Sequence, residues 1–525
     1  MYDLIIRNGM VVDGTRAPAY QADVCIQNGR IAEITAQCGA EAKEVIDAAG
    51  KVVSPGFIDI HTHSDLAPLS PFDPESKTNQ GVTFELTGNC GISPLPSTPE
   101  TRAAITEYYL SNLQYPPMDI TVNTLDEYIR QANAHRNIAN YGMLIGHSAL
   151  RGCVMGFDNR PPTPEELSAM EKRLDEELSM GAFGMSLGLI YPPSAFAETG
   201  ELDALARIVR KHNGFLAVHI RNEGPRVFES VEEMLGVAER SGVHLQISHL
   251  KIMTKSLWGH SQRLIDAARE RGIHVTCDQY PFFASSTGMT ALVPKWAHAG
   301  GLHPMLARID KPEQKLRDDI ACEMESRGGA DRVMISSTHG AEPAWEGKMV
   351  SDIAVQLGQD PVDTVLTILQ RCHANVHCNY FSQSEADMEN ILSRTDIAVA
   401  SDGYNYSYDR SITVDTPHPR NFSTFPHALE LAREKKLMPM ENIVYKMTGL
   451  PASMMGMNER GILAVGKVAD VTIFDWARVG QAGDYQNSVQ RPHGIEYVIV
   501  SGEKVLDHGK LTGARPGTIL RHNQC

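Results

Sequence analysis

Apolar and polar positions along this chain alternate in two styles. In the first, short apolar runs of strand length recur at Gly56–Ile60, Val82–Leu86, Tyr141–Ile145, Phe183–Leu187, Phe215–Ile220, His244–Ser248, His274–Cys277 and Ile397–Ala400. Runs of this length and content predict buried strands. Between several of them the apolar residues return every three or four positions, which predicts helices over Pro164–Ser179, Leu202–Lys211, Val227–Arg240 and Ser261–Arg271. Gly181, Gly214, Gly242 and Gly272 stand where such helices would end. Strands alternating with helices imply a parallel sheet. Eight such units imply an α/β fold of the (β/α)8 TIM-like type, whose active site lies at the C-terminal strand ends.

The second style occupies both chain ends. Asp3–Arg7, Met10–Val12, Asp23–Gln27 and Arg30–Ile34 read as short antiparallel strands, with Asn8-Gly9 and Asn28-Gly29 as hairpin turns. Ala469–Asp475, Ile495–Val500 and Lys504–Leu506 repeat the pattern, with a turn at Ser501-Gly502. These pieces predict a small β-sandwich domain built from residues 1–53 plus 460–525, with the catalytic barrel, 54–459, inserted between them. The long gap between the last two barrel strands predicts a lid-like insertion at about 283–345, near the barrel mouth. Neither internal repeats nor low-complexity segments stand out.

Composition narrows the class. The 525 residues are 42% hydrophobic and 21% charged, an ordinary globular balance. No apolar run reaches membrane-spanning length, and the N-terminus lacks the basic and apolar regions of an export signal. The expected location is cytoplasmic, with no membrane partner. The net charge of −16 argues against nucleic acid. Nine scattered cysteines without an export signal read as reduced thiols. The expected partner is a small molecule, and the oligomeric state stays open.

The strand ends carry the chemistry. His61 and His63 close the first strand; side chains at i and i+2 of an extended chain share a face. Asp65 comes next, placed to accept a ring N–H and orient a histidine. The second strand runs into Thr87-Gly88-Asn89-Cys90, the fifth ends at His219, the sixth at His249 and the eighth at Ser401-Asp402-Gly403. A single histidine is more often a hydrogen-bonded core residue, and Ser-Asp-Gly alone is a common turn. Six metal-type ligands at matching ends point instead to one metal site.

Those residues sit in longer phrases: PGFIDIHTHSD, GNCGISP, GLIYPP, HIRNE, ISHLK, SDG, HPRNFSTFP, and TGLPASMMGM followed by RGILAVGKVADVTIFD. In this order the chain resembles the D-aminoacylase (N-acyl-D-amino-acid deacylase) family of the amidohydrolase superfamily. Many amidohydrolases bridge two metals with a carboxylated lysine at the fourth strand. Here that segment reads Met185-Ser186-Leu187-Gly188, and the nearest lysine, Lys172, lies on a charged helix face. The resemblance implies a cysteine in the lysine's stead: a tight zinc at Cys90, His219 and His249, and a possible weaker second site at His61, His63 and Asp402. Three protein ligands leave an open position for water, whose pKa zinc lowers to about 7. Asp402 is the expected catalytic group, taking a proton from that water and returning it to the leaving amine. The family also implies that Tyr191, Lys251 and Arg420 bind the substrate carboxylate. The implied activity is zinc-dependent hydrolysis of N-acyl-D-amino acids.

Within that family, acidic D-amino acids call for an extra arginine near the barrel mouth, from the insertion side. The stretch 285–301, SSTGMTALVPKWAHAGG, has none, so neutral or hydrophobic side chains are expected. Competing readings are a hydantoinase- or dihydroorotase-like cyclic-amide hydrolase, which the missing lysine disfavours; a deaminase; and a metal-free structural barrel, which would be expected to have lost ligands. Cys372-His373 and His377-Cys378 mimic a zinc knuckle but fall where a strand is expected, and His147 reads as structural. The loop between Asp402 and Arg420 is long and aromatic-rich for the family.

Overall fold

The computed structural model describes residues 1–112, 119–260 and 263–524. Eight parallel strands form a closed barrel: β1 (Phe57–Asp59), β2 (Val82–Thr87), β3 (Asn140–Met143, continued by Ile145–Gly146), β4 (Gly184–Gly188), β5 (Phe215–His219), β6 (His244–Ile247), β7 (Val275–Gln279) and β8 (Ala398–Val399). Closure between β8 and β1 comes just past the strands themselves. Asp402 N donates to His61 O (2.8 Å) and His63 N to Gly403 O (2.8 Å). The residues that close the barrel therefore include His61, His63 and Asp402, three of the ligand-type residues at the strand ends. Such strands are buried on both faces, which is why they read as apolar runs without alternation.

The helices follow their sequence signals. One spans Pro164–Ser179, starting at Thr163 with a full capping box to Glu166. Others span Thr199–Lys211, Val227–Ser241 and Arg263–Glu270; the expected start at Ser261 lies outside the described residues. Gly181, Gly242 and Gly272 take the left-handed conformation expected after a helix, but Gly214 does not. Asn213 takes it instead (φ 56°), since asparagine also tolerates that region.

Strands from both chain ends share one nine-stranded sheet, in which Val52–Pro55 pairs antiparallel with Val471–Phe474. Asn28-Gly29 forms the expected turn. Asn8-Gly9 does not: Tyr2–Val11 is one strand that passes through it with a bulge. A Cβ on Gly9 would lie 2.4 Å from the Val53 side chain. The glycine answers close packing here, not a reversal of direction.

The gap between β7 and β8 holds a separate packing unit. Ser285–Gly288, Val333–Ser337 and His377–Tyr380 form an antiparallel sheet with its own core, including Met289, Ile320, Ile335 and Tyr380. It runs past residue 345 to Tyr380. The zinc-knuckle mimic lies inside it: Cys372 and Cys378 are buried in that core, while His377 points from the other face of the strand.

Candidate active site

Local backbone geometry aims the ligand-type side chains inward. Gly88 and Gly91 flank Asn89-Cys90 with positive φ, and a Cβ on Gly88 would lie 2.0 Å from Leu144 O. Only glycine lets the loop pass so close to the next strand. Cys90, His249 and Asp402 themselves hold φ of 53°, 38° and 50°. That region is disfavoured for residues with a Cβ, and strain of this sort gathers where a side chain must point one way.

Cys90 Sγ lies 3.3 Å from His61 Nε2 and 3.4 Å from His249 Nε2. Asp402 Oδ1 lies 3.3 Å from His61 Nε2 and 3.1 Å from His63 Nε2. His61, Cys90, His249 and Asp402 thus present four donor atoms within 4.8 Å of one another, and His219, Glu223 and His249 form an adjoining set. The six residues expected from sequence come together, but not as two separate triads: Cys90 and His249 stand between the others. Both ring nitrogens of His219 and Nδ1 of His63 are buried without a hydrogen bond. Buried imidazoles normally find partners, so a sulfur, four imidazoles and a carboxylate with orphaned nitrogens fit a metal such as zinc.

Electrostatics favour the ligating forms. Burial alone would push the Cys90 thiol up, but the His61 and His249 imidazoles hold it well below the ordinary value. Burial likewise opposes ionisation of Asp402, and Arg420 and His249 outweigh it. Glu223 is held well below the usual carboxylate range by Lys251, His219 and His249 against its burial.

The supporting contacts differ in part from expectation. His61 Nδ1 faces Asp278 (3.3 Å), whose other contacts are Gln246 Nε2 and His249 N. Asp278 therefore has the orienting position that sequence reasoning gave to Asp65. Asp65 instead accepts from Gly88 N (2.7 Å), because the chain turns beneath the β2 loop after His63. It steadies the Cys90 loop from below. Lys251 Nζ donates to Glu223 (2.6 Å) and lies 2.8 Å from His249 Nδ1. Arg420, at the start of the helix Arg420–Glu434, donates to Asp402 Oδ2 (2.7 Å) and to Ser286 O (3.1 Å). Tyr191 packs on His219 and bonds Thr287 Oγ1 (2.9 Å).

Tyr280 was not anticipated. Lys251 and Arg420 lie 5.8 and 5.1 Å from its ring centre. Glu223 and Arg327 also line the pocket. Glu223 was legible as the last residue of HIRNE; Arg327, at the end of an insertion helix, had no local signal. Tyr404 of the aromatic loop stacks near His63 (5.5 Å) and lines the pocket too. His147 bonds Ser194 and Glu201 (both 2.8 Å), a structural pairing.

With this geometry in view, comparison with known proteins is specific. The amidohydrolase family model matches residues 44–307 and 398–506. An N-acyl-D-glutamate deacylase of Alcaligenes xylosoxydans xylosoxydans is 35% identical over 99% of this chain and 97% of its own. The solved N-acyl-D-glutamate deacylase from Bordetella bronchiseptica, complexed with zinc and a phosphonate inhibitor that mimics the tetrahedral intermediate, is 33% identical with a TM-score of 0.83, covering 99% of both chains. A D-aminoacylase solved in work on the role of its binuclear metal centre is 32% identical with a TM-score of 0.82, over 99% of this chain and all of its own. Fold, site and full-length similarity agree: the chain belongs to the amidohydrolases and, within them, to the D-aminoacylase (N-acyl-D-amino-acid deacylase) family.

Proposed function

We propose that this protein hydrolyses the amide bond of N-acyl-D-amino acids, releasing a carboxylate and the free D-amino acid. One observation carries the reading: a sulfur–imidazole–carboxylate cluster shares a single pocket with the buried cations Lys251 and Arg420. The cluster suits the scissile amide, and the cations suit a carboxylate beside it.

Cys90, His219 and His249 would hold a tight zinc, and His61, His63 and Asp402 a weaker one, with the Cys90 sulfur, 3.3 Å from His61 Nε2, lying between the two sets. A bound zinc supplies Lewis-acid polarisation of the amide carbonyl and lowers the pKa of water to about 7. The protein's own part is proton traffic and positioning. Asp402 takes the proton of the attacking water and delivers it to the departing amine nitrogen. Its Oδ2 is engaged by Arg420. A substrate carboxylate competes for that guanidinium, whose planar fork suits two oxygens at once. Capturing it frees Asp402 to accept a proton. Lys251 is placed to take the second carboxylate oxygen, with Tyr191 lining the same pocket and the Tyr280 ring packed against the two cations.

Cyclic-amide hydrolysis fits less well. No lysine extends from β4 toward the cluster; Ser186 occupies that strand and bonds Gly91 N (2.9 Å). On the side chain of the substrate, two observations pull apart. The stretch 285–301 contributes no arginine, favouring neutral or hydrophobic side chains. Arg327 favours a second reading, an acidic side chain: it lines the pocket, stacks over Tyr380 (5.0 Å) and, among the described residues, faces no carboxylate at ion-pair distance. Its buried Nε has no partner.

The test is a hydrolysis panel of N-acetyl-D- and N-acetyl-L-amino acids with neutral and acidic side chains, on zinc-loaded and chelator-treated protein. Zinc-dependent turnover of D-substrates is expected. Activity confined to L-substrates or to cyclic amides would overturn the proposal.

A further inference from the structure

The seam of the barrel carries a charge pair that the chemistry above leaves unused. Ile58 of β1 and Phe84 of β2 share an apolar cluster with Phe215 of β5, across the barrel. Side chains alternate along a strand, so Asp59 and Glu85, paired in register, face outward through the barrel wall. A helix usually covers that face of such a barrel. Between β1 and β2 there is none, only the single turns Ala67–Leu69 and Thr78–Gln80. This irregular chain delivers Lys77 to the wall. Lys77 and Asp59 are both fully buried and pair at 2.9 Å.

Asp59 does more than hold an ammonium. Its Oδ1 accepts from Ser401 N (3.0 Å), just past β8, and from His61 N (3.4 Å), just past β1. One carboxylate thus spans the two strand ends at which the barrel closes. Lys77 Nζ also donates to Ser401 Oγ. That hydroxyl accepts from Gly403 N (3.0 Å) and donates to His61 O (3.4 Å). Asp402 sits between Ser401 and Gly403, held there with its φ of 50°. Asn405 ties in the aromatic loop: its Oδ1 accepts from Lys77 N (3.2 Å) and its Nδ2 donates to Glu85 (2.9 Å). Glu85 is pushed up to about 7 by its burial, and Lys77 draws it the other way. The one ammonium therefore offsets two buried carboxylates.

Burying an ammonium and a carboxylate forfeits their hydration, and apolar side chains of the same volume would often hold a seam as firmly. What the pair supplies is direction, through hydrogen bonds to named backbone atoms. We propose that Lys77 and Asp59 are positioning residues for Asp402. Acting through Ser401, they fix residues 401–403 against the end of β1 and so set the separation of Asp402 from His61 and His63. Neither touches the substrate. The inference rests on the deacylase reading above for the role of Asp402 and adds the groups that aim it.

Two readouts on the full-length protein test this, with Ser401→Ala and Lys77→Met. Ser401→Ala removes one hydroxyl and leaves every charge in place, so it decides the matter should Lys77→Met fail to fold. The first readout is zinc titration of chelator-treated protein. The first equivalent should bind as it does to the unaltered protein, because Cys90, His219 and His249 follow β2, β5 and β6, away from the seam. The second equivalent should bind about 10–100-fold more weakly, the usual cost of losing a group that orients a metal ligand, because His61, His63 and Asp402 straddle the seam. The second readout is steady-state kinetics on N-acetyl-D-amino acids at one equivalent of zinc. There kcat should fall by about 10–100-fold, with a much smaller change in KM.

Equal weakening of both zinc equivalents, with kcat per zinc-loaded molecule unchanged, would make the pair a stabilising clasp only and overturn the proposal. Zinc affinities and a kcat that all match the unaltered protein would overturn it as well. If the unaltered protein turns over no N-acyl-D-amino acid, the deacylase reading fails, and the affinity for the second zinc still decides whether the pair positions Asp402. An unaltered protein with neither turnover nor a second zinc overturns both.

Discussion

Cys90 and Cys378 are both buried thiols in histidine-rich surroundings, yet they lie at opposite ends of the acidity scale. Cys90 has the His61 and His249 nitrogens within 3.4 Å, and these imidazoles outweigh its burial. Cys378 belongs to the insertion's core, where burial raises its thiol far above the ordinary range with no imidazole to counter it. In sequence the ranking looks reversed. Cys378 follows a histidine directly and has two more ligand-type residues a few positions earlier, whereas the nearest histidine to Cys90 is His63. The difference lies in topology. Strand alternation sends Cys378 and His377 to opposite faces of one small sheet. The barrel instead collects its ligand-type residues from distant strands at a common rim.

Several experiments strain that contrast, beginning with the largest effect. Cys90→Ala should lower kcat/KM by about a thousandfold or more, since a Lewis-acid metal contributes several kcal/mol. Tight zinc should be lost in parallel by metal analysis; a variant keeping both metal and activity would erase the distinction between the two thiols. Asp402→Asn should cut kcat by about 10²–10⁴-fold, the usual range for a proton-transfer group, read in steady-state kinetics on metal-loaded protein. Arg420→Lys keeps the charge but loses the planar fork. It should raise KM by about tenfold, roughly the 1.5 kcal/mol of a charged hydrogen bond, with a smaller change in kcat.

Alkylation of the metal-free protein tests acidity directly. Cys90, whose thiol His61 and His249 hold well below its ordinary pKa against its burial, should react with iodoacetamide at a rate that rises less steeply from pH 7 to 9 than that of an ordinary thiol. Cys378 should stay inert throughout, and zinc should protect Cys90. Mass spectrometry of the labelled peptides reads both. The smallest effect belongs to Cys378→Ala, expected to cost about 1 kcal/mol of stability in a denaturant titration while kcat/KM stays within about twofold.

Much of this was legible in the chain because barrels write their geometry locally. Each strand announces itself by an apolar run, and the residues just past that run land on the rim. His61, Cys90, His219, His249 and Asp402 could be chosen for that reason. Contacts set by the relative orientation of distant segments were not legible. Asp278 lies at the end of β7 and was passed over, although it is the group that faces His61. Arg327 approaches from an insertion whose packing has no periodic link to the barrel. The bond between Arg420 and Asp402, two residues read separately as substrate clamp and metal ligand, needed coordinates as well. At Asn8-Gly9 a strong turn signal yielded to packing, since the pair sits in a bulge against Val53 and a hairpin there would break the strand.

The most direct measurement is zinc-edge X-ray absorption on protein loaded with one equivalent of zinc. The account predicts one sulfur scatterer at about 2.3 Å alongside nitrogen or oxygen ligands at about 2.0–2.2 Å, with the sulfur shell vanishing in Cys90→Ala. A shell of nitrogen and oxygen alone, or a sulfur shell that survives the substitution, would contradict it.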